Sequence, residues 1–307
     1  MTEKIKLKTN HIIRSSLKSL KNNFLEYFIF ESIYKTVLHF FIVPLMMFIF
    51  TFFVKLSNDG TIKNTDFFKL FIDIKGFAGI FLISLFLSVI FFIEFSVLII
   101  INYSARNNSN PSVIHAFITS LKKLRLLLGK GFFIMLIFAL LIIPFLETGI
   151  ESGIFANIRV PDFVDEYIFS TYKLFIPYII LMLMVVSFSV GLVFMINVAV
   201  EEDCTLPQAF KKSRLLAKGN KIKIIWILFI WNLIVLVIPA LFIGVPFILL
   251  ILLFVRATGF DYNEFTSTMP YIYAWGVQLY YIVVSMYVPA NICLISEIYH
   301  ALEHEPK

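Results

Sequence analysis

The chain has 307 residues, of which 60% are hydrophobic and only 15% charged, with a formal net charge of +6. Soluble domains carry about 45–50% apolar and about 25% charged residues, so this composition, spread along the whole length, excludes a soluble globular enzyme and makes lipid the solvent for much of the surface. The basic excess flanks apolar runs instead of forming a run of its own, which points to anionic lipid headgroups and away from nucleic acid.

The first eight residues are basic, but residues 10–24 mix polar and apolar side chains, so the N-terminus does not read as a cleavable signal. Ile13, Leu17, Leu20 and Phe24 recur at i, i+4, i+7 and i+11, one face of a helix, with Arg14, Lys18 and Lys21 opposite. An apolar span follows at 36–54, containing Pro44. The next loop holds a short amphipathic stretch at 66–71, and a second span covers 79–102. Glu94 is the only carboxylate well inside a predicted span, roughly 12 Å from Asn102 along a helix rising 1.5 Å per residue.

Asn110-Pro111 reads as a cap followed by a first-turn proline, opening a second amphipathic helix. Phe117, Leu121, Leu124 and Leu128 form its apolar face, and Lys122, Lys123 and Arg125 its basic one. The third span runs over 131–146 with Pro144, and a second short amphipathic stretch lies at 161–169. The fourth span, 175–200, contains Asn197 near its end. Thr205-x-x-Gln208 is a capping box for a third amphipathic helix. Its apolar face is Leu206, Phe210, Ser213 and Ala217, and its basic face Lys211, Lys212 and Arg214. The fifth span covers 224–241 with Pro239, inside a stretch of 32 residues (224–255) free of charge. It reads as one kinked crossing with an extended outer end, a hairpin being the alternative. The sixth, 272–294, opens on Tyr271, Tyr273, Trp275, Tyr280 and Tyr281, an aromatic belt for the outer interface, and closes beyond Asn291.

Six spans of this length suit an all-α polytopic membrane protein. The segments outside the first, second, fourth and sixth spans on one side carry 19 Lys and Arg, and the three intervening loops carry 7. Basic loops stay in the cytoplasm, which predicts both termini inside and a multi-pass protein of the cell membrane. The prolines at 44, 144 and 239 and the asparagines at 102, 197 and 291 recur at intervals of 94–100 residues. We therefore expect a single membrane domain over 1–307 built from three parallel repeats at approximately 9–108, 109–203 and 204–300. Each would run interfacial helix, span, outer loop, span.

The three basic helix faces are candidate headgroup contacts, and also ordinary topological anchors. Glu94 is a candidate functional group, since an ionisable side chain in hydrocarbon costs several kcal/mol; the bland reading is a carboxylate satisfied within the bundle, because the matched repeat positions are Ser189 and Val283. Asn102, Asn197 and Asn291 read as structural amides bridging helix ends. The prolines read as helix kinks, which in the functional version line a central cleft. Cys204 and Cys293 read as free thiols. Glu297, His300 and His304 share a face of the last helix but read as a solvated face, not a metal site. No phosphate loop, nucleophile elbow or paired carboxylate motif occurs, so no catalytic residue, metal or cofactor is expected.

One stretch carries a resemblance. Glu201-Glu202-Asp203-Cys204-Thr205-Leu206-Pro207-Gln208-Ala209-Phe210-Lys211-Lys212-Ser213, running on to Lys218-Gly219, resembles the signature of the membrane domain of bacterial glycerophosphodiester phosphodiesterases. Ile158-Arg159-Val160-Pro161-Asp162-Phe163 is similar to that family's outer-loop element. The resemblance covers essentially the whole chain. It implies a bacterial inner-membrane domain in lipid metabolism, usually followed by a catalytic barrel that opens with His-Arg-Gly and an acidic metal site. Neither motif is present in these residues, so the chain reads as a stand-alone version or as the anchor of a longer enzyme, and as no enzyme by itself. The leading expectation is a membrane-anchoring, lipid-handling domain whose partners are anionic phospholipids and a C-terminal catalytic domain or partner protein. The alternatives are a small transporter or permease working through Glu94, and a scaffold subunit of a membrane complex.

Overall fold

The computed structural model describes residues 7–57, 73–107, 109, 112–146, 172–239, 241, 248–249, 252–253, 256 and 285–303. Among these residues there are helices and turns and no strand. The helices are α1 (Thr9–Asn22), α2 (Phe24–Val37), α3 (Val43–Ser57), α4 (Ile74–Arg106), α5 (Val113–Lys123), α6 (Lys130–Leu146), α7 (Tyr172–Leu192), α8 (Met195–Glu201), α9 (Leu206–Ala217), α10 (Lys221–Pro239) and α11 (Tyr287–Glu303).

Three helical stretches among the described residues are long and apolar enough to cross a membrane: Phe24–Phe53, Ile74–Arg106 and Leu183–Glu201. Helices α6 and α10 coincide with the third and fifth expected spans. Most of the sixth span, the aromatic belt, both outer-loop amphipathic stretches and the stretch beyond Pro239 that decides between kink and hairpin lie outside the described residues, apart from isolated positions.

The first apolar helix begins twelve residues before the expected start at 36. Helices α2 and α3 are joined by a π-helical turn at Leu38–Ile42 into one 30-residue apolar stretch. Pro44 follows directly, and a wide turn there relieves the clash of a proline ring with the preceding turn. Pro144 and Pro239 sit in the last turn of α6 and at the end of α10, where a missing N–H and a bend disturb few hydrogen bonds. A fourth proline, Pro177, lies inside α7.

The interior is built from helix ends. Every residue of α4 from Glu94 to Asn102 is buried, as is every residue of α8 from Met195 to Val200. In α11 the buried set runs from Pro289 to Leu302 with few gaps. Helices buried all round must be apolar all round, which is why α4 carries no amphipathic stripe. By contrast, Phe40, Phe48, Leu183, Met184 and Trp226 point outward, as apolar side chains do when hydrocarbon surrounds them.

The short amphipathic helices seat on this core through buried residues four apart: Ile12 and Ser16 in α1, Ala116 and Ser120 in α5, Ala209 and Ser213 in α9. Small side chains let backbones approach and let hydroxyls reach across. Ser120 Oγ donates to the Ile93 carbonyl of α4 at 3.4 Å, and Ser213 Oγ to the Gly191 carbonyl of α7 at 2.9 Å. Their more apolar neighbours, among them Leu17, Phe117 and Leu121, stay exposed.

Start signals fared unevenly. In α9, Gln208 Oε1 accepts from the Thr205 backbone N–H at 3.1 Å and from its hydroxyl at 2.9 Å, so the capping box stands. In α5 the N-cap is Ser112, whose hydroxyl accepts from His115 N–H at 3.4 Å. Asn110 and Pro111 lie outside the described residues. Close packing constrains two glycines. A methyl group on Gly79 would stand 2.5 Å from Phe53 Cβ, where α4 meets α3, and one on Gly131 would stand 2.2 Å from the Leu126 carbonyl oxygen.

Candidate functional site

An apolar cavity of about 340 Å³ opens between α4, α6, α7, α8, α10 and α11. Its walls include Phe95, Phe138, Val190, Leu228 and Ile295. Four polar side chains break that surface: Asn197, Asn232, Asn291 and Tyr287, with Ser189 as a fifth that donates back to the Val185 carbonyl. Two of the three repeated asparagines therefore meet at one site. The third, Asn102, does not: its Oδ1 accepts from Ser19 Oγ of α1 at 2.6 Å, tying α4 to the amphipathic helix. Asn232 was missed, although an amide in an uncharged apolar run is a visible signal. Pro44 is not among the cavity's described walls.

The amides are held by their own helices and neighbours. Asn197 Nδ2 donates to Ser296 Oγ at 2.6 Å and to Glu201 Oε1 at 3.5 Å. Asn232 Nδ2 donates to the Leu228 carbonyl, and Asn232 Oδ1 accepts from Tyr287 Oη at 2.6 Å. Asn291 Nδ2 donates to the Tyr287 carbonyl at 3.0 Å.

Beside the cavity, Glu201, Glu202 and Asp203 end α8 and bind three different elements. Glu201 pairs with His300 of α11 at 3.3 Å. Glu202 pairs with Lys212 of α9 and accepts from Tyr299 Oη at 2.7 Å. Lys212 also reaches Glu303 at 2.9 Å. Asp203 pairs with Arg125 and, at 2.9 Å, with Lys123, on the far side of α5. Asp203 has a left-handed φ of 51°, which Asp tolerates better than most residues. The hydrogen bond from Lys123 holds the Asp203 carboxyl below its usual range, and the neighbouring Arg125 charge adds to this. Burial, then the hydrogen bond to Glu202, pushes the Tyr299 hydroxyl up, so it remains a donor. Burial likewise pushes the Cys204 thiol up, away from the thiolate form a nucleophile needs.

These contacts correct several expectations. Lys123, Arg125 and Lys212 are engaged by the chain's own carboxylates, because α8 places three acids where two amphipathic helices converge. Arg214 stacks over Phe188 and Phe210 at 6.0 and 5.7 Å. Arg14, Lys18, Lys21, Lys122 and Lys211 are exposed with no partner among the described residues. The last helix presents no solvated acid–histidine face. His300 is buried against Glu201, and Glu297 turns to Ser15 at 2.8 Å and Arg106 at 3.6 Å. His304 lies outside the described residues, among which no metal-binding cluster occurs. Cys204 and Cys293 are free thiols.

Glu94 is buried, but it is not the only carboxylate inside an apolar span. The longer first helix brings in Glu31, whose fully buried side chain pairs with Lys35 at 3.0 Å. Glu94 lies within electrostatic reach of both. Lys35 Nζ also donates to the Ser285 carbonyl at 3.3 Å, and Tyr34 Oη to the Ile90 carbonyl at 2.9 Å.

The family model for the membrane domain of glycerophosphoryl diester phosphodiesterase matches residues 13–304. No curated protein and no solved structure matches the chain.

Proposed function

This chain belongs to the family of membrane domains of glycerophosphoryl diester phosphodiesterase, and we propose that it anchors and handles lipid without catalysing a reaction by itself. The observation that carries this reading is the amide-lined apolar cavity between the helices. A pocket of this size with few convergent polar groups is the usual form of a small-molecule site. In a membrane domain the molecule at hand is lipid.

The rest of the reading is topological. The domain crosses the bacterial inner membrane six times, with both ends in the cytoplasm, as three parallel repeats. The recurrence of buried Ser16, Ser120 and Ser213 in the three short helices supports the repeat. It also moves the register of the third helix, setting Ala209 against Ala116 and not against Ser120. The cations Arg14, Lys18, Lys21, Lys122 and Lys211, without a partner among the described residues, form the cytoplasmic collar that meets anionic headgroups. A catalytic domain or partner protein acting on glycerophosphodiesters works beside it.

The test is lipid analysis of the protein purified in mild detergent. Co-purified lipid at a stoichiometric level, lost on filling the cavity with Leu228→Phe, supports the reading. Lipid content unchanged by that substitution refutes it. The charge cluster of Glu31, Lys35 and Glu94 favours one second reading, a proton-coupled permease. Proton-driven flux into proteoliposomes, abolished in Glu94→Gln, would establish it; flux equal to the unsubstituted protein would remove it.

A further inference from the structure

The hydrogen-bonding capacity left over in the cavity selects a lipid class. The Leu228 carbonyl for Asn232 and the Tyr287 carbonyl for Asn291 accept only an N–H and so orient those two amides, and Asn197 Nδ2 faces Ser296 and Glu201. This arrangement leaves the Asn197 and Asn291 side-chain oxygens without a donor among the described residues. One N–H of Asn232 is also left without an acceptor among the described residues. Among the described residues lining the cavity none carries a charge. Glu201, in hydrogen-bond contact with Asn197, is an acid.

Amide oxygens in apolar surroundings are costly to bury without donors. A phosphate brings acceptors to acceptors, with no cation to offset its charge, and desolvation makes that mismatch expensive. A hydroxyl group brings what the site lacks, a proton to donate and a lone pair for the spare N–H. The apolar walls suit a hydrocarbon chain.

Resting on the lipid-handling reading, we propose that this cavity binds an uncharged, hydroxyl-bearing glyceride, with its hydroxyls on Asn197, Asn291 and Asn232 and its acyl chain along the walls from Phe138 to Leu228. The cationic collar then serves anionic headgroups outside, and the cavity serves neutral alcohols inside. The two surfaces discriminate by charge.

The test uses the whole chain in phosphatidylcholine nanodiscs, titrated with monooleoylglycerol and read by native mass spectrometry and by the rise in Tm. Two analogues of the same chain length serve as comparisons: oleoyl lysophosphatidic acid and the di-O-methyl ether of monooleoylglycerol. Saturable binding of monooleoylglycerol is expected. Binding should be about tenfold weaker for the phosphate and for the ether, the size of one or two lost hydrogen bonds. Asn291→Leu should lower monooleoylglycerol affinity to a similar extent and leave the ether unaffected. If lysophosphatidic acid binds as tightly as the alcohol, or the ether does, the neutral-hydroxyl proposal falls while lipid handling stands. If none of the three binds, both fall. Should Asn291→Leu fail to fold, the comparison of alcohol and ether on the unsubstituted protein decides by itself.

Discussion

Asn197 offers a direct measure of how the amides hold the helix ends together. It is 1% exposed, and its Nδ2 donates at 2.6 Å to Ser296 Oγ, itself 1% exposed. Asn197→Leu keeps the volume and removes the donor. The Ser296 hydroxyl then loses its partner in a site that water does not reach, and Glu201 loses a weaker contact at 3.5 Å. An orphaned buried polar group costs about 1–3 kcal/mol, and membrane-embedded hydrogen bonds sit at the low end, so about 1–2 kcal/mol is expected. For a chain of this size that lowers Tm by roughly 2–8 °C. Adding Ser296→Ala removes the orphan and should restore part of the loss, since replacing both partners is far gentler than replacing one. The assay is thermal melting in detergent of the two single variants and the double variant. An Asn197→Leu protein that melts with the unsubstituted one refutes the reasoning. So does a double variant whose loss equals the sum of the singles.

The other predictions concern the ion pairs of Asp203, the exposed cations and the close approach at Gly131. Asp203→Asn keeps a residue that tolerates the left-handed backbone but loses the charge facing Lys123 and Arg125. Those partners are partly solvated, so the loss should be about 0.5–1 kcal/mol at pH 7. The native carboxyl lies below its unfolded value of about 3.9, so its contribution is present above that pH and is lost as pH falls through the native value. The Tm gap between protein and variant should therefore close below about pH 4; a gap that widens there contradicts the assignment. Gly131→Ala places a methyl against the Leu126 carbonyl oxygen and should destabilise by about 1–2 kcal/mol, despite alanine's better helix propensity, which melting would show. Replacing Lys18, Lys122 and Lys211 with Gln should weaken retention of phosphatidylglycerol during purification. Replacing Lys123, Arg125 and Lys212 should chiefly lower Tm.

Local signals decided what depends on neighbours in the chain. Apolar runs fixed where long helices form, because each helix satisfies its own backbone in lipid regardless of tertiary context. The 3.6-residue period placed all three amphipathic helices, and Thr205 with Gln208 placed a start correctly. The family could be read from the acidic run leading into α9, and the matched range of residues 13–304 bears it out. In α9 the expected face of Leu206, Ser213 and Ala217 is the buried one, but in α1 and α5 the period did not decide which side faces inward. The apolar stripe of Leu17, Phe117 and Leu121 was legible, but α1 seats through Ile12 and Ser16 and α5 through Ala116 and Ser120. Ser120 is met there by a carbonyl of another element, and Ser16 donates to the Ile12 carbonyl of its own helix.

The same holds for charge. Lys123, Arg125 and Lys212 look identical in sequence to Lys122 and Lys211. Only the convergence of α5, α9 and α11 on the acidic end of α8 separates paired cations from free ones. Glu31 precedes the expected first span at 36, and only the helix continuing through the π turn brings it into the apolar stretch. Asn197 and Asn291 were visible as a repeated pair, yet Asn232 and Tyr287 join them from a different element and from an unremarked position. A binding cavity is a property of the space between helices, and that space is set by tertiary packing, not by the order of residues along the chain.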